Sequence, residues 1–135
     1  MTVGRSTSPT HQVGQKAEEA ALIFLKNKGF QLVAENFHSA MGEIDLVVIQ
    51  GRLLVFVEVR LRKSSAFGNA AASITPSKQR KIIQTSAIFL QSFPEFESYD
   101  CRFDVIAIDG SASKGHENLK ISWIEGAFDA AMFYE

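Results

Sequence analysis

Two carboxylates and a guanidinium, Asp45, Glu58 and Arg60, are the residues whose types and spacing could do chemistry. Glu43 to Gln50 and Leu53 to Arg62 alternate as strands do, and Gly51-Arg52 between them suits a two-residue hairpin turn with glycine first. That turn pairs Gln50 with Leu53, Ile49 with Leu54, and finally Asp45 with Glu58. Residues directly opposed in an antiparallel ladder share a face, with Cβ atoms about 4.5–5.5 Å apart. Two carboxylates so placed repel and raise each other's pKa unless a cation lies between them. The pair therefore predicts a site for Mg²⁺ or Mn²⁺, cations that favour oxygen ligands. Arg60 offers the alternative, since it projects beside the pair and could neutralise it as a structural Asp–Glu–Arg cluster. A slip of one residue in the register would break the geometry.

Other charges gather around this pair. A helix is predicted from Gly14 to Lys28, with Ala17, Ala20, Ala21, Phe24 and Leu25 on one stripe and Gly29 as its stop. Glu18 lies at the edge of that stripe, where it could be a further metal or water ligand or instead pair with Arg60 or Arg62. Thr75-Pro76 gives an N-cap and a first-turn proline for a second helix running to about Ser92, with Ile82, Ile83, Ala87 and Leu90 inward. Lys78, Arg80 and Lys81 occupy its first turns. Cations oppose the helix dipole there, which leans toward phosphate contact; a solvated face is the other reading. Residues 52–81 carry seven basic groups, Arg62 and Lys63 among them, against Glu58 alone, while residues 82–135 carry three basic against nine acidic. A net charge of −1 hides this asymmetry, which suits one cationic face turned toward phosphates.

The elements that must position these residues read as helix, three strands, helix, two strands. Phe30 to Asn36 is the first strand, Arg102 to Asp109 the fourth and Leu119 to Glu125 the fifth. This order implies an α/β layer arrangement with a mixed sheet. A chain of 135 residues with 46% hydrophobic content can bury one core without staples, so a metal here would serve function. We expect a polar, disordered leader over residues 1–13 and one domain over 14–135. No apolar run is long enough for a membrane span and none suits a signal peptide, so no membrane contact and a cytoplasmic location are expected. Cys101, the single cysteine, can form no internal disulfide and reads as packing rather than a nucleophile. His11 falls in the leader, and His38 and His116 fall in loops without ligand spacing. Arg102 and Asp104 share a strand face as an ion pair, and Trp123 and most of the phenylalanines read as core.

Three strings carry a resemblance: Met41-Gly-Glu-Ile-Asp-Leu-Val47, Val55-Phe-Val-Glu-Val-Arg-Leu-Arg62 and Arg102-Phe-Asp-Val105. With Gly14 to Glu18, Gly29-Phe30, Asn36, Phe67-Gly68 and Lys78-Gln79-Arg80, they resemble the YraN-like family of bacterial proteins, over nearly everything from Gly14 to Phe128. That family is described as endonuclease-like with a Holliday-junction-resolvase-like fold, within the metal-dependent nucleases that carry an Asp and then a Glu-x-Lys signature. The resemblance implies a restriction-endonuclease-like three-layer core, a central mixed sheet flanked by helices. It implies Asp45 and Glu58 as ligands for Mg²⁺ or Mn²⁺, with the Val59 carbonyl joining, and Glu18 as the helix carboxylate of resolvase-type members. It further implies DNA, branched or structured, as substrate, and a homodimer matching junction symmetry; the basic residues Arg62, Lys63, Lys78, Arg80 and Lys81 would then contact its backbone. Arg60 stands where the signature has lysine, and Ala17 replaces a glycine that usually precedes the helix glutamate. Arginine stays protonated and cannot be a general base, though it can clamp a phosphate. The alternative is therefore a non-catalytic nucleic-acid-binding or adaptor domain that keeps the nuclease fold.

Overall fold

A computed structural model describes residues 9–62, 74–109 and 120–130. The elements follow the expected order: α1 (Pro9–Asn27), β1 (Gln31–Ser39), β2 (Gly42–Gln50), β3 (Leu53–Arg62), α2 (Pro76–Ser92), a short 3₁₀ turn (Pro94–Phe96), β4 (Asp100–Asp109) and β5 (Ile121–Phe128). The 3₁₀ turn was not foreseen. α1 begins at Pro9 rather than Gly14, so the last residues of the expected leader are helical. Proline fits a helix's first turn, where its missing N–H would have had no partner, and Gly14 sits inside the helix at modest cost. Lys63, Phe67-Gly68, His116 and the side chains of His11 and Arg62 lie outside the described residues.

The sheet has five strands in the order β1-β2-β3-β4-β5. β3 and β4 run parallel and the other neighbours antiparallel, so the sheet is mixed. A parallel pair needs a long crossover, and α2 supplies it. Gly51 takes φ +60° at the β2–β3 turn, the conformation for which glycine was expected there. Arg52 then ties this turn to the chain entering β4: its Nη2 donates to Ser98 Oγ at 2.5 Å, and its guanidinium lies over Tyr99.

One helix covers each face. α1 lays Ala17, Ala20, Ala21 and Leu25 on Leu46, Val48, Val55, Val57, Ile106 and Ile108. Its alanines let the helix come close to the sheet. α2 brings Ile82, Ile83 and Phe89 onto Ile44, Val47, Leu54, Phe56, Phe103 and Val105. Thr75 caps α2 as expected, its Oγ1 accepting from the Lys78 N–H at 3.2 Å. The inward stripe is turned from the expected one: Ala87 is exposed, while Thr85, Ser86 and Phe89 are buried. The hydroxyls can be buried because Thr85 donates to the Lys81 carbonyl and Ser86 to the Ile83 carbonyl. Phe89 takes the central place because four rings, Phe37, Phe56, Phe93 and Phe96, pack around it. Phe89→Ala is expected to cost about 3–5 kcal/mol in a urea melt, as an emptied aromatic site cannot fully collapse.

Candidate metal centre at the strand fork

The predicted register holds from Gln50↔Leu53 to Leu46↔Val57, where the described β2–β3 pairs end. β2 continues against β1 down to Ser39↔Gly42, and β3 continues against β4 up to Arg62↔Asp109. The sheet therefore forks just where Asp45 would face Glu58. At the fork the Val59 N–H donates to Asp45 Oδ2 at 2.8 Å, a carboxylate standing in for a strand carbonyl. Simple alternation, expected to put Glu43, Asp45, Val47 and Ile49 on one face, fails here: Ile44 and Val47, three residues apart, both join the α2-side core. Across from the fork, Asn36 takes φ +50°, a left-handed turn of β1 that asparagine tolerates better than most residues.

The two carboxyl groups come together at this fork, close enough for the Asp45 charge to act on Glu58. Asp45 is buried and Glu58 retains 12% side-chain exposure. Loss of solvent is the main reason the Asp45 carboxyl is pushed up to about 6, with the Val59 N–H working the other way and Glu43 adding to the rise. Glu58 is pushed well up as well, by burial first and by the Asp45 charge second. Arg60 opposes both shifts but only weakly neutralises the pair, its Nη2 standing 3.9 Å from Glu58 Oε1. Glu58 Oε2 and Arg60 Nε are both buried without a hydrogen-bond partner. The centre is thus short of positive charge and of donors, and holds a guanidinium with an unused N–H.

A second buried aspartate shows what a satisfied one looks like in this fold. Asp104 is 1% exposed, and its carboxylate accepts from Arg102 Nε and Nη2, Trp123 Nε1 and the Gly126 N–H at 2.8–3.0 Å. The expected Arg102–Asp104 pair is therefore present, and it holds a bulge where β5 meets β4. Trp123 contributes to the α1-side core and to this bond at once.

The remaining expected site residues distribute as follows. Glu18 is half-buried at the edge of the α1 stripe, as read from the sequence. That stripe packs with Val55, Val57 and Val59, whereas Glu58 and Arg60 alternate to the other face of β3. Among the described residues, no three His, Cys, Asp or Glu side chains converge on one metal position. Lys78, Arg80 and Lys81 are exposed on the first turns of α2, which covers the Glu58 face. His38 lies in β1 rather than a loop, and its Nδ1 is 3.0 Å from Glu43 Oε2 across the β1–β2 ladder. Cys101 is exposed rather than packed, and partial burial with the Asp100 charge pushes its thiol up, away from nucleophilic character. Sequence reasoning missed Ser39 and Thr85, whose hydroxyls meet at 3.2 Å beside Gly42. Two hydroxyl residues 46 positions apart leave no periodic signal.

Comparison with known proteins agrees over most of the chain. The model of the uncharacterised protein family UPF0102 matches residues 17–108. A UPF0102 protein of Acinetobacter baumannii (strain AYE) is 44% identical over 127 residues, covering 87% of this chain and 94% of the relative. A UPF0102 protein of Legionella pneumophila (strain Philadelphia 1) is 43% identical over 121 residues, covering 90% and 98% respectively. No helix among the described residues is long and apolar enough to cross a membrane. On the family match and on identity sustained along almost the whole of both chains, this protein belongs to the UPF0102 family.

Proposed function

We propose that this chain is a metal-dependent DNA endonuclease of the restriction-endonuclease-like fold that acts on branched or otherwise structured DNA. The observation that carries the reading is the fork, where two adjacent carboxyl groups are buried together and Glu58 Oε2 has no donor. An apolar or fully paired site would hold the sheet together more cheaply. A hard divalent cation supplies what this one lacks, so the donor set fits Mg²⁺ or Mn²⁺. Asp45 and Glu58 would hold the ion, with the Val59 carbonyl joining them. Bound there, such an ion would polarise a scissile phosphate and acidify an attacking water. Arg60 cannot take a proton from that water, but its buried Nε–H is free to donate to a phosphate oxygen. Arg62, Lys63, Lys78, Arg80 and Lys81 would hold the DNA backbone. A cytoplasmic homodimer completes the reading, since a four-way junction has two-fold symmetry.

The test is cleavage of four-way junction DNA in Mn²⁺ and Mg²⁺. Turnover by the wild type, lost in Asp45→Ala and in Glu58→Ala with DNA binding retained, is the expected result; turnover surviving in both variants contradicts it.

Arg60 favours a second reading, a nucleic-acid-binding or adaptor domain without turnover. Arg60→Lys separates the two. If the chain is an attenuated nuclease, this substitution raises junction cleavage about tenfold or more, within the usual contribution of a general base. If it is an adaptor, both proteins bind DNA with steep salt dependence and neither cleaves.

A further inference from the structure

We propose that Thr85, Ser39 and Gly42 form a tie between α2 and the β1–β2 turn that holds the β2–β3 fork open and so sets how Asp45 meets Glu58. The inference rests on the metal-centre reading given above for the fork itself. β1 and β2 stay paired to Ser39↔Gly42, whereas β2 pairs with β3 only from Leu46 onward, so before Leu46 the two strands stand apart from β3 as a unit. A hairpin leaving a sheet needs another surface, and α2 provides it at Lys81 and Thr85. The hydroxyl geometry is specific. Thr85 is fully buried and spends its one hydrogen on the Lys81 carbonyl at 2.8 Å, leaving its oxygen as an acceptor. Ser39 Oγ lies 3.2 Å from that oxygen and 3.3 Å from the Gly42 carbonyl, and it accepts from the Met41 N–H at 3.0 Å. The one Ser39 hydrogen is shared between Thr85 Oγ1 and the Gly42 carbonyl, while the Met41 N–H holds the turn to the same hydroxyl.

Gly42 completes the tie by letting the backbone come close. A Cβ there would meet Thr85 Oγ1 at 3.3 Å and Lys81 Cβ at 3.4 Å, and its φ of +151° is one that side chains rarely adopt. Three residues past Gly42, Asp45 reaches across the gap to the Val59 N–H. The helix-internal bond already satisfies the Thr85 hydrogen, so the Ser39 contact is not needed to bury Thr85. Its effect is to fix the turn, and through four residues of β2 to fix the Asp45 carboxylate. Thr85, Ser39 and Gly42 are positioning residues and touch no substrate.

Two readouts test this on the full chain: Mn²⁺ titration by calorimetry, and hydrogen exchange of the Val59 amide in metal-free protein. Thr85→Val keeps the shape and removes the hydroxyl; Thr85→Ser keeps the hydroxyl; Ser39→Ala removes the partner from a less buried position. The valine and alanine variants are expected to weaken Mn²⁺ binding roughly 10- to 100-fold, the range for groups that orient metal ligands. They should also speed Val59 exchange about tenfold or more as local opening becomes easier, while Thr85→Ser restores both. Wild-type Mn²⁺ affinity and Val59 protection in Thr85→Val and Ser39→Ala would overturn the tie. Should the wild type itself take up no Mn²⁺, the metal reading fails, and Val59 exchange alone then decides the tie, for or against.

Discussion

Asp45→Asn is expected to make the metal-free protein more stable above pH 6, by about 2–3 kcal/mol, while removing a ligand from the proposed metal centre. The sign follows from the fork. Burial pushes the Asp45 carboxyl from 3.8 up to about 6 and pushes Glu58 up as well, so the folded chain holds protons that the unfolded chain has released. Between about pH 4 and 6 the native state binds more protons, and stability falls as pH rises through that window. Glu58 extends the fall to higher pH. Below pH 4 both states are protonated and the pair costs nothing. Asparagine keeps an oxygen for the Val59 N–H and removes the charge. Thermal melts of both proteins at pH 4.5 and 7.5 check this: the variant should gain several degrees at the higher pH and little at the lower one. Equal shifts at both would mean that charge burial is not what destabilises the wild type. A stability gain of this kind accords with the proposed metal centre, because stabilising exchanges at functional sites recurrently come at the expense of function.

Asp104→Ala should do the reverse, costing about 3–5 kcal/mol at neutral pH. Its carboxylate is the common acceptor for Arg102, Trp123 and the Gly126 N–H, and alanine would leave these donors unmatched beside a buried strand. The β4–β5 bulge should loosen, and Trp123 fluorescence should report the change, since its indole N–H loses its partner. The effect on Mn²⁺ binding should be small, because Asp104 lies in the β4–β5 pair and not at the β2–β3 fork. A urea melt of Asp104→Ala that matches wild type would contradict the contrast drawn between the two aspartates. Together the two variants separate a carboxylate that stabilises the fold from one that strains it.

Much of this could be read from the residues alone. The hairpin register was legible because Gly51-Arg52 admits few turn geometries and a buried strand face penalises a slip of one residue. The α2 cap was legible because Thr75-Pro76 has a local chemistry that needs no partner elsewhere. The inward stripe of α2 was harder, since Thr85 and Ser86 look polar until their bonds to helix carbonyls are seen. The start of α1 was misplaced because the polar residues before Gly14 read as leader, although the first turn of a helix tolerates Pro9. The fork was legible only in part. Its two carboxylates follow from the register, but alternation gives no sign that β2 would turn away at Asp45. Across from that bend Asn36 of the neighbouring strand turns left-handed, and the tie proposed above reaches from Ser39 to a hydroxyl on a helix far along the chain. Periodicity describes single elements, and a site made where two elements part depends on a third.

The central claim is that Asp45 and Glu58 form a divalent-metal centre. Calorimetric titration of Mn²⁺ into the wild type and into an Asp45→Ala/Glu58→Ala double variant, at pH 7.5 and without DNA, tests it most directly. The account predicts saturable binding by the wild type, with protons released as the raised carboxyls ionise, and none by the double variant. No saturable uptake by the wild type, or equal uptake by both proteins, would contradict it.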